Sequence, residues 1–159
     1  MAKVYMICGK ICSGKSTQAR KIRSRCQAVI LSVDEIILTL FGQDVGEELD
    51  DYVSKAKEYL YHKSLELIDS GIDVILDWGF WTREEREYAR CFYSFRDIEC
   101  EMQYVDIDSD EWQRRLCERN QSVQEKKSSA YYVSNDLVAK CEALFQKPMK
   151  YEVDMWIKQ

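Results

Sequence analysis

Residues 9–16 read GKICSGKS, a complete GxxxxGK[ST] pattern in which two glycines frame a short loop and a lysine and a hydroxyl follow at once. Each part has a chemical reason. Glycine lets the backbone turn so that its amides converge on a polyphosphate, and a helix beginning near Lys15 adds its partial positive end. Lys15 supplies a point charge for the β- and γ-phosphates, and the Ser16 hydroxyl is placed to ligate magnesium. Thr17 reaches the α-phosphate or caps the helix. From average composition such a match arises by chance in roughly one chain of this size in two hundred. A chance turn would also leave Lys15 unexplained, because a helix N-terminus disfavours a cation. Gly9, Lys10, Ile11, Cys12, Ser13 and Gly14 complete the candidate phosphate-binding loop. Within it, Cys12 has two readings: a thiol activated by the positive field and open to oxidation, or a small residue filling a tight turn.

Ligands of open α/β sheets gather beyond the carboxyl ends of the strands. Two further apolar runs end in carboxylates, Asp34 and Asp77. Phosphoryl transfer to a hydroxyl needs a carboxylate that accepts or orients the hydroxyl proton. Asp34 fits that role, and also the role of N-cap for the segment that follows it. Asp77 would hold magnesium, through water, or bind substrate if its strand neighbours the first; a turn in DWG is its plainer reading. Residues 77–82, DWGFWT, place Trp81 and its aromatic neighbours either along an acceptor pocket or beneath the next helix. Among Arg83, Arg86 and Arg90, only Arg83 lies near enough to the strand end to be a substrate ligand, the interspersed acids offering surface partners to the rest. Arg115 and Arg119, one helical turn apart, either clamp adenine and phosphate from a closing lid or lie on a solvated helix face.

The elements that must position these residues are legible as periodicity. Short apolar runs at 3–8, 28–33, 72–76, 101–107 and 153–157 predict strands. Helices are expected from Ser16, over 35–41, 45–70, 82–95, 111–120 and 131–145, with Gly71 closing the third and Thr82 and Glu85 in capping-box spacing at the fourth. The stretch 121–129 reads as a polar, mobile connection. Strands alternating with helices imply right-handed parallel crossovers and a three-layer α/β fold.

Composition sets the limits. With 28 acids against 23 bases and a net charge of -5, bulk attraction to nucleic acid or an anionic membrane is disfavoured, though a local basic site is compatible. Ten tyrosines, five phenylalanines and four tryptophans argue against a disordered chain, and six glycines with a single proline argue against a turn-rich sandwich. Seven cysteines, an odd number without a CxxC pair or a signal-peptide pattern, read as reduced thiols in the cytoplasm. No apolar run approaches the roughly 20 residues of a membrane span.

Taken together, GKICSGKST at 9–17, SVDE at 32–35, DVILDWGFWTREER at 73–86, RRLCERN at 114–120 and FQKPMKYE at 145–152 resemble the P-loop kinases of the AAA_33-type ATP-binding family. That group is related to adenylate kinase, chloramphenicol phosphotransferase, zeta toxin kinases and polynucleotide 5'-kinases. The resemblance spans nearly the whole chain. It implies a P-loop NTPase of nucleoside-kinase type: one domain over 1–159, a five-stranded parallel sheet in the order 2-3-1-4-5, a helical segment covering the acceptor at about 44–70, and a lid at about 115–135. ATP and magnesium at the loop, catalysis by Lys15, Asp34, Arg115 and Arg119, and a hydroxyl-bearing small-molecule acceptor are likewise implied. Two departures stand out. Ile37 occupies a position where the family often has an arginine, and Ile11 and Cys12 stand where proline and glycine are usual. The first admits a nucleotide-binding regulator without transfer activity as an alternative. A nucleotide or polynucleotide 5'-kinase is the other, weighed down by five acids within 44–51, a poor neighbour for a polyanion, which favours a small or cationic acceptor.

Overall fold

Side-chain alternation along the strands decides which helices cover which face of the sheet. The computed structural model describes residues 1–159 and contains five strands: β1 (Val4–Cys8), β2 (Val29–Ser32), β3 (Val74–Gly79), β4 (Cys100–Asp106) and β5 (Met155–Lys158). They pair in parallel in the order β2-β3-β1-β4-β5. Between them run α1 (Lys15–Cys26), α2 (Val33–Phe41), α3 (Leu49–Asp69), α4 (Arg83–Ser94), α5 (Ser109–Gln124) and α6 (Asn135–Leu144). Val4, Met6, Val74, Leu76 and Met102 point to one face, where they pack with α2, α3 and α4 through Ile37, Leu60, Ala89 and Tyr93. Ile7, Ile75 and Val105 point to the other and meet Ala19 and Ile22 of α1. A third, smaller cluster of Trp112, Leu116 and Val133 lies under α5. Period-two burial on both faces is what a doubly covered parallel sheet requires. No helix is long and apolar enough to cross a membrane.

The element ends follow local chemistry. The Thr82 hydroxyl accepts from Glu85 N–H while Glu85 accepts from Thr82 N–H, so the predicted capping box closes α4. At the end of α3, Gly71 takes φ +78°, and Gly71 and Ile72 donate to Ile68 and Leu67 carbonyls, a Schellman closure. Other ends differ from expectation. Ser32, not Asp34, caps α2 by accepting from Glu35 N–H, which moves the helix start back to Val33. Helix α5 runs on to Gln124, through residues read as a polar connection, because Asp108 caps its start and its apolar stripe reaches Trp112 and Leu116. Helix α6 begins only at Asn135, where Ser134 caps it. Strand β3 extends past Asp77 to Gly79.

Arg86 of α4 departs most from the sequence reading, since it is buried, not paired at the surface. Its guanidinium meets buried Glu152 at 3.0 Å and donates to the Phe80 and Trp81 carbonyls at 3.0 and 3.2 Å. Glu152 also accepts from Met149 N–H at 2.7 Å. Burial alone would raise the Glu152 carboxyl, but the bonds from Met149 and Arg86 outweigh it and the net shift is downward. A carboxyl lowered in the fold adds stability that is complete above its ordinary value of 4.5 and is lost as pH falls through the lowered one. Arg86→Met, which strands Glu152, is expected to cost about 3–5 kcal/mol in urea unfolding at pH 7. Stability of the wild type should fall more steeply below pH 4.5 than that of Glu152→Gln.

Candidate active site

Helix α1 starts without a side-chain cap and without an acid in its first turn, so its leading amides lack intrachain side-chain partners. Gly14, at φ +103°, delivers the chain into it. A Cβ at Gly9 would lie 2.6 Å from Ser13 Oγ, so the loop closes on itself only with glycine there. Lys15 Nζ donates back across the loop to the Lys10 carbonyl at 2.6 Å, and Ser16 Oγ donates to Asp77 Oδ2 at 3.0 Å. This last contact follows from topology: β1 and β3 are neighbours, with Cys8 in register with Gly79.

Helix α5 grips the loop from outside. Trp112 Nε1 donates to the Ile11 carbonyl at 2.6 Å, Arg119 to Cys12 Sγ at 3.4 Å and Arg115 to the Ser13 carbonyl at 3.2 Å. These three side chains, three and four residues apart, form one helix face. The sequence reading found both arginines and missed Trp112, whose spacing from them was the available signal. Lys10 turns outward over the Trp112 ring, 4.3 Å from its centroid.

A cavity of about 850 Å³ opens beside the loop, lined by Ile11, Cys12, Gly14, Lys15, Ser16 and Thr17 on one side. Asp34, Asp77, Trp78 and Trp81 form its sheet end, α3 contributes Leu49, Asp50, Val53 and Lys57, and Tyr131 and Leu137 face them. Because Ser32 supplies the helix cap, Asp34 is left free of that task. Its carboxylate is open to the cavity yet ringed by its walls: desolvation raises it, Lys15 and Arg119 oppose the rise, and nearby Asp77 adds to it. Lys15, Asp34, Asp77, Arg115 and Arg119 are thus gathered around one space.

Other expectations need correcting. Arg83 does not line the cavity; it pairs with Glu87 at 2.7 Å and lies 5.9 Å from the Tyr151 ring. Of the acids of 44–51, only Asp50 lines the cavity. Asp51 pairs with Lys55, Glu48 accepts from Tyr52, and Asp50, which does line the cavity, pairs with Lys140. Ile37 is buried in the core against the sheet, so in this chain that position serves packing and does not face the cavity.

The AAA_33 family model, described as an AAA domain, matches residues 4–145. No curated protein matches the sequence. Among solved structures, a provisionally assigned kinase of Chloroflexus aurantiacus superposes with a TM-score of 0.74 at 16% identity, over 99% of this chain and 88% of that one. The Mycobacterium tuberculosis APS kinase in complex with AMPPNP and APS gives 0.69 at 18% identity, over 99% and 88%. A chain of the Pnkp1/Rnl/Hen1 RNA repair complex gives 0.71 at 19% identity, over 90% of this chain and 43% of that one. At these identities the likeness is one of fold, a P-loop kinase-like sheet with helices on both sides.

The β3 end is tight enough to test. Gly79 has φ +91°, and a Cβ there would sit 2.7 Å from Trp81 Nε1. Gly79→Ala is expected to destabilise the protein by about 1–3 kcal/mol through the left-handed backbone and to shift its tryptophan emission as Trp81 is displaced, both readable in one fluorescence-monitored urea titration.

Proposed function

The chain belongs to the AAA_33 family, and from that premise we propose that it is an ATP-dependent kinase that transfers the γ-phosphoryl group to a hydroxyl of a small molecule, with Asp34 as base. The observation that carries this reading is a free carboxylate, Asp34, facing Lys15 across one cavity at an uncapped helix N-terminus. In this reading the amides of Gly9 to Thr17 and the Lys15 ammonium hold the triphosphate, and Arg115 and Arg119 keep the loop in shape and clamp nucleotide from the lid at about 115–135. Helix α3, within the segment at about 44–70, covers the acceptor.

The donors fit magnesium. Ser16 offers a hydroxyl and Asp77 a carboxylate on the same edge of the cavity, and this ion favours one or two protein oxygens with water and phosphate completing its shell. When bound, it supplies positive charge that neutralises the polyphosphate. The chain's residues do the rest. Asp34 accepts the proton of the acceptor hydroxyl as its oxygen bonds to the γ-phosphorus; the bond from that phosphorus to the β–γ bridging oxygen breaks, giving a phosphate ester and ADP. Lys15 offsets the charge that grows on the leaving phosphates.

Lys15→Ala is expected to weaken ATP binding by about 10–100-fold in calorimetry. Asp34→Asn should keep ATP affinity and lower kcat about 10²–10⁴-fold; turnover equal to wild type would remove Asp34 from the mechanism. Because only ionised Asp34 accepts a proton and its carboxyl is raised, turnover should fall as pH drops through a value above the ordinary 3.8. ATP affinity without acceptor-stimulated turnover across a broad panel would instead favour a nucleotide-binding regulator.

A further inference from the structure

The segment 130–133 crosses the cavity mouth between α5 and α6 with no helix or strand of its own, yet its backbone is tied down by side chains. Gln43 donates to the Ala130 carbonyl at 2.7 Å and accepts from Tyr132 N–H at 3.0 Å. Arg119 donates to the Tyr131 carbonyl at 2.9 Å. Asn120 both donates to and accepts from Val133, at 2.8 Å each way. The backbone at Tyr131 is therefore held in place. The Tyr131 hydroxyl is nonetheless buried without any hydrogen-bond partner. A buried orphan hydroxyl is unfavourable unless something outside the chain satisfies it. The ring lines the same cavity as Asp34. Burial, then the nearby Asp34 carboxylate, push the phenol up to about 12, so at neutral pH it is a neutral donor.

The charges around it narrow the ligand further. Of the cavity's cations, Lys140 pairs with Asp50 at 2.5 Å, Lys57 pairs with Glu85, and Arg114 pairs with Glu111 and Glu118. Lys15, Arg115 and Arg119 are engaged with the loop itself. Away from the loop no unpaired cation faces the cavity, whereas Asp34 is an unpaired acid. An acceptor carrying phosphate or sulfate away from Lys15 and Arg119 would place that anion among cations already paired with acids. Trp78 and Trp81 supply flat apolar surface instead, Trp78 being held edge-on by Tyr61 with ring centroids 5.2 Å apart.

Resting on the kinase reading above, we infer that the acceptor is an uncharged, hydroxyl-bearing ring compound of nucleoside or sugar type, stacked on the indoles and oriented by a hydrogen bond from Tyr131 opposite Asp34. Tyr131 is the specificity residue of that site. It selects by donating to a polar atom of the acceptor that an analogue lacking it cannot offer.

The test uses the full chain with magnesium ATP and matched probes: neutral nucleosides, pentoses and hexoses, each against its monophosphate, together with a 5'-hydroxyl oligonucleotide, read by mass gain of the acceptor. The neutral member of a pair is expected to be phosphorylated at least about tenfold more efficiently. With the best acceptor, Tyr131→Phe should raise KM about tenfold while ATP affinity stays the same. Its melting temperature should be unchanged or higher, because the hydroxyl has no partner to lose; a structural role would lower it. An unchanged acceptor KM in Tyr131→Phe overturns the assignment, as does preference for the phosphorylated member or the oligonucleotide. If ATP binds and no probe is phosphorylated, the kinase reading fails together with this one, an outcome separable from the others because it appears before any variant is made.

Discussion

Two glycine backbones touch at the end of the central strand, and much of the site depends on that contact. Gly9 N–H donates to the Gly79 carbonyl at 2.9 Å, and a Cβ on Gly79 would stand 3.3 Å from the Gly9 carbonyl oxygen. The closeness brings the loop against the tip of β3, which sets Ser16 beside Asp77. It also forces the chain after Gly79 into an awkward path. Phe80 takes φ +47°, and its carbonyl is held by Arg86 and by the Cys8 thiol. Arg86, buried to hold that turn, requires Glu152, and Glu152 in turn takes the Met149 amide. One close approach at the loop is thus linked, through hydrogen bonds, to the segment that leads into β5.

Charge is distributed to serve the same place. A chain with a net charge of -5 keeps three cations against a single loop, two of them reaching it from α5. Elsewhere around the cavity acids and bases cancel in pairs, such as Asp50 with Lys140 and Glu85 with Lys57. The result is a cavity polarised over a short distance: the cations held at the loop stand against the carboxylates Asp34 and Asp77. Polarisation of this kind suits a reaction in which negative charge gathers on phosphate while a proton leaves a hydroxyl.

The sheet was legible because buried parallel strands read as short apolar runs and because the loop pattern constrains what flanks it, while its order was implied by the resemblance to P-loop kinases. Gly9 to Ser16, Asp34 and Asp77 were visible for the same reason: ligands collect where apolar runs stop. What escaped was set by tertiary contacts. Arg83, Arg86 and Arg90 look alike on a helix with interspersed acids, yet only Arg86 is fully buried, where a carboxylate sixty-six residues away meets it. The acids at 44–51 suggested a negative wall, but only Asp50 lines the cavity, and its partner Lys140 lies ninety residues further along the chain. Tyr131 was invisible for a different reason. Its position is fixed by Gln43, Arg119 and Asn120 side chains acting on backbone, which leaves no periodic trace.

The most direct measurement is a crystal structure with magnesium and a non-hydrolysable ATP analogue. The account predicts the triphosphate lying over the N-terminus of α1 against Lys15, the metal contacted by Ser16 with Asp77 directly or through water, and Asp34 left open toward the acceptor space. A nucleotide bound elsewhere, or a loop that excludes phosphate while Lys15 stays on the Lys10 carbonyl, would contradict it.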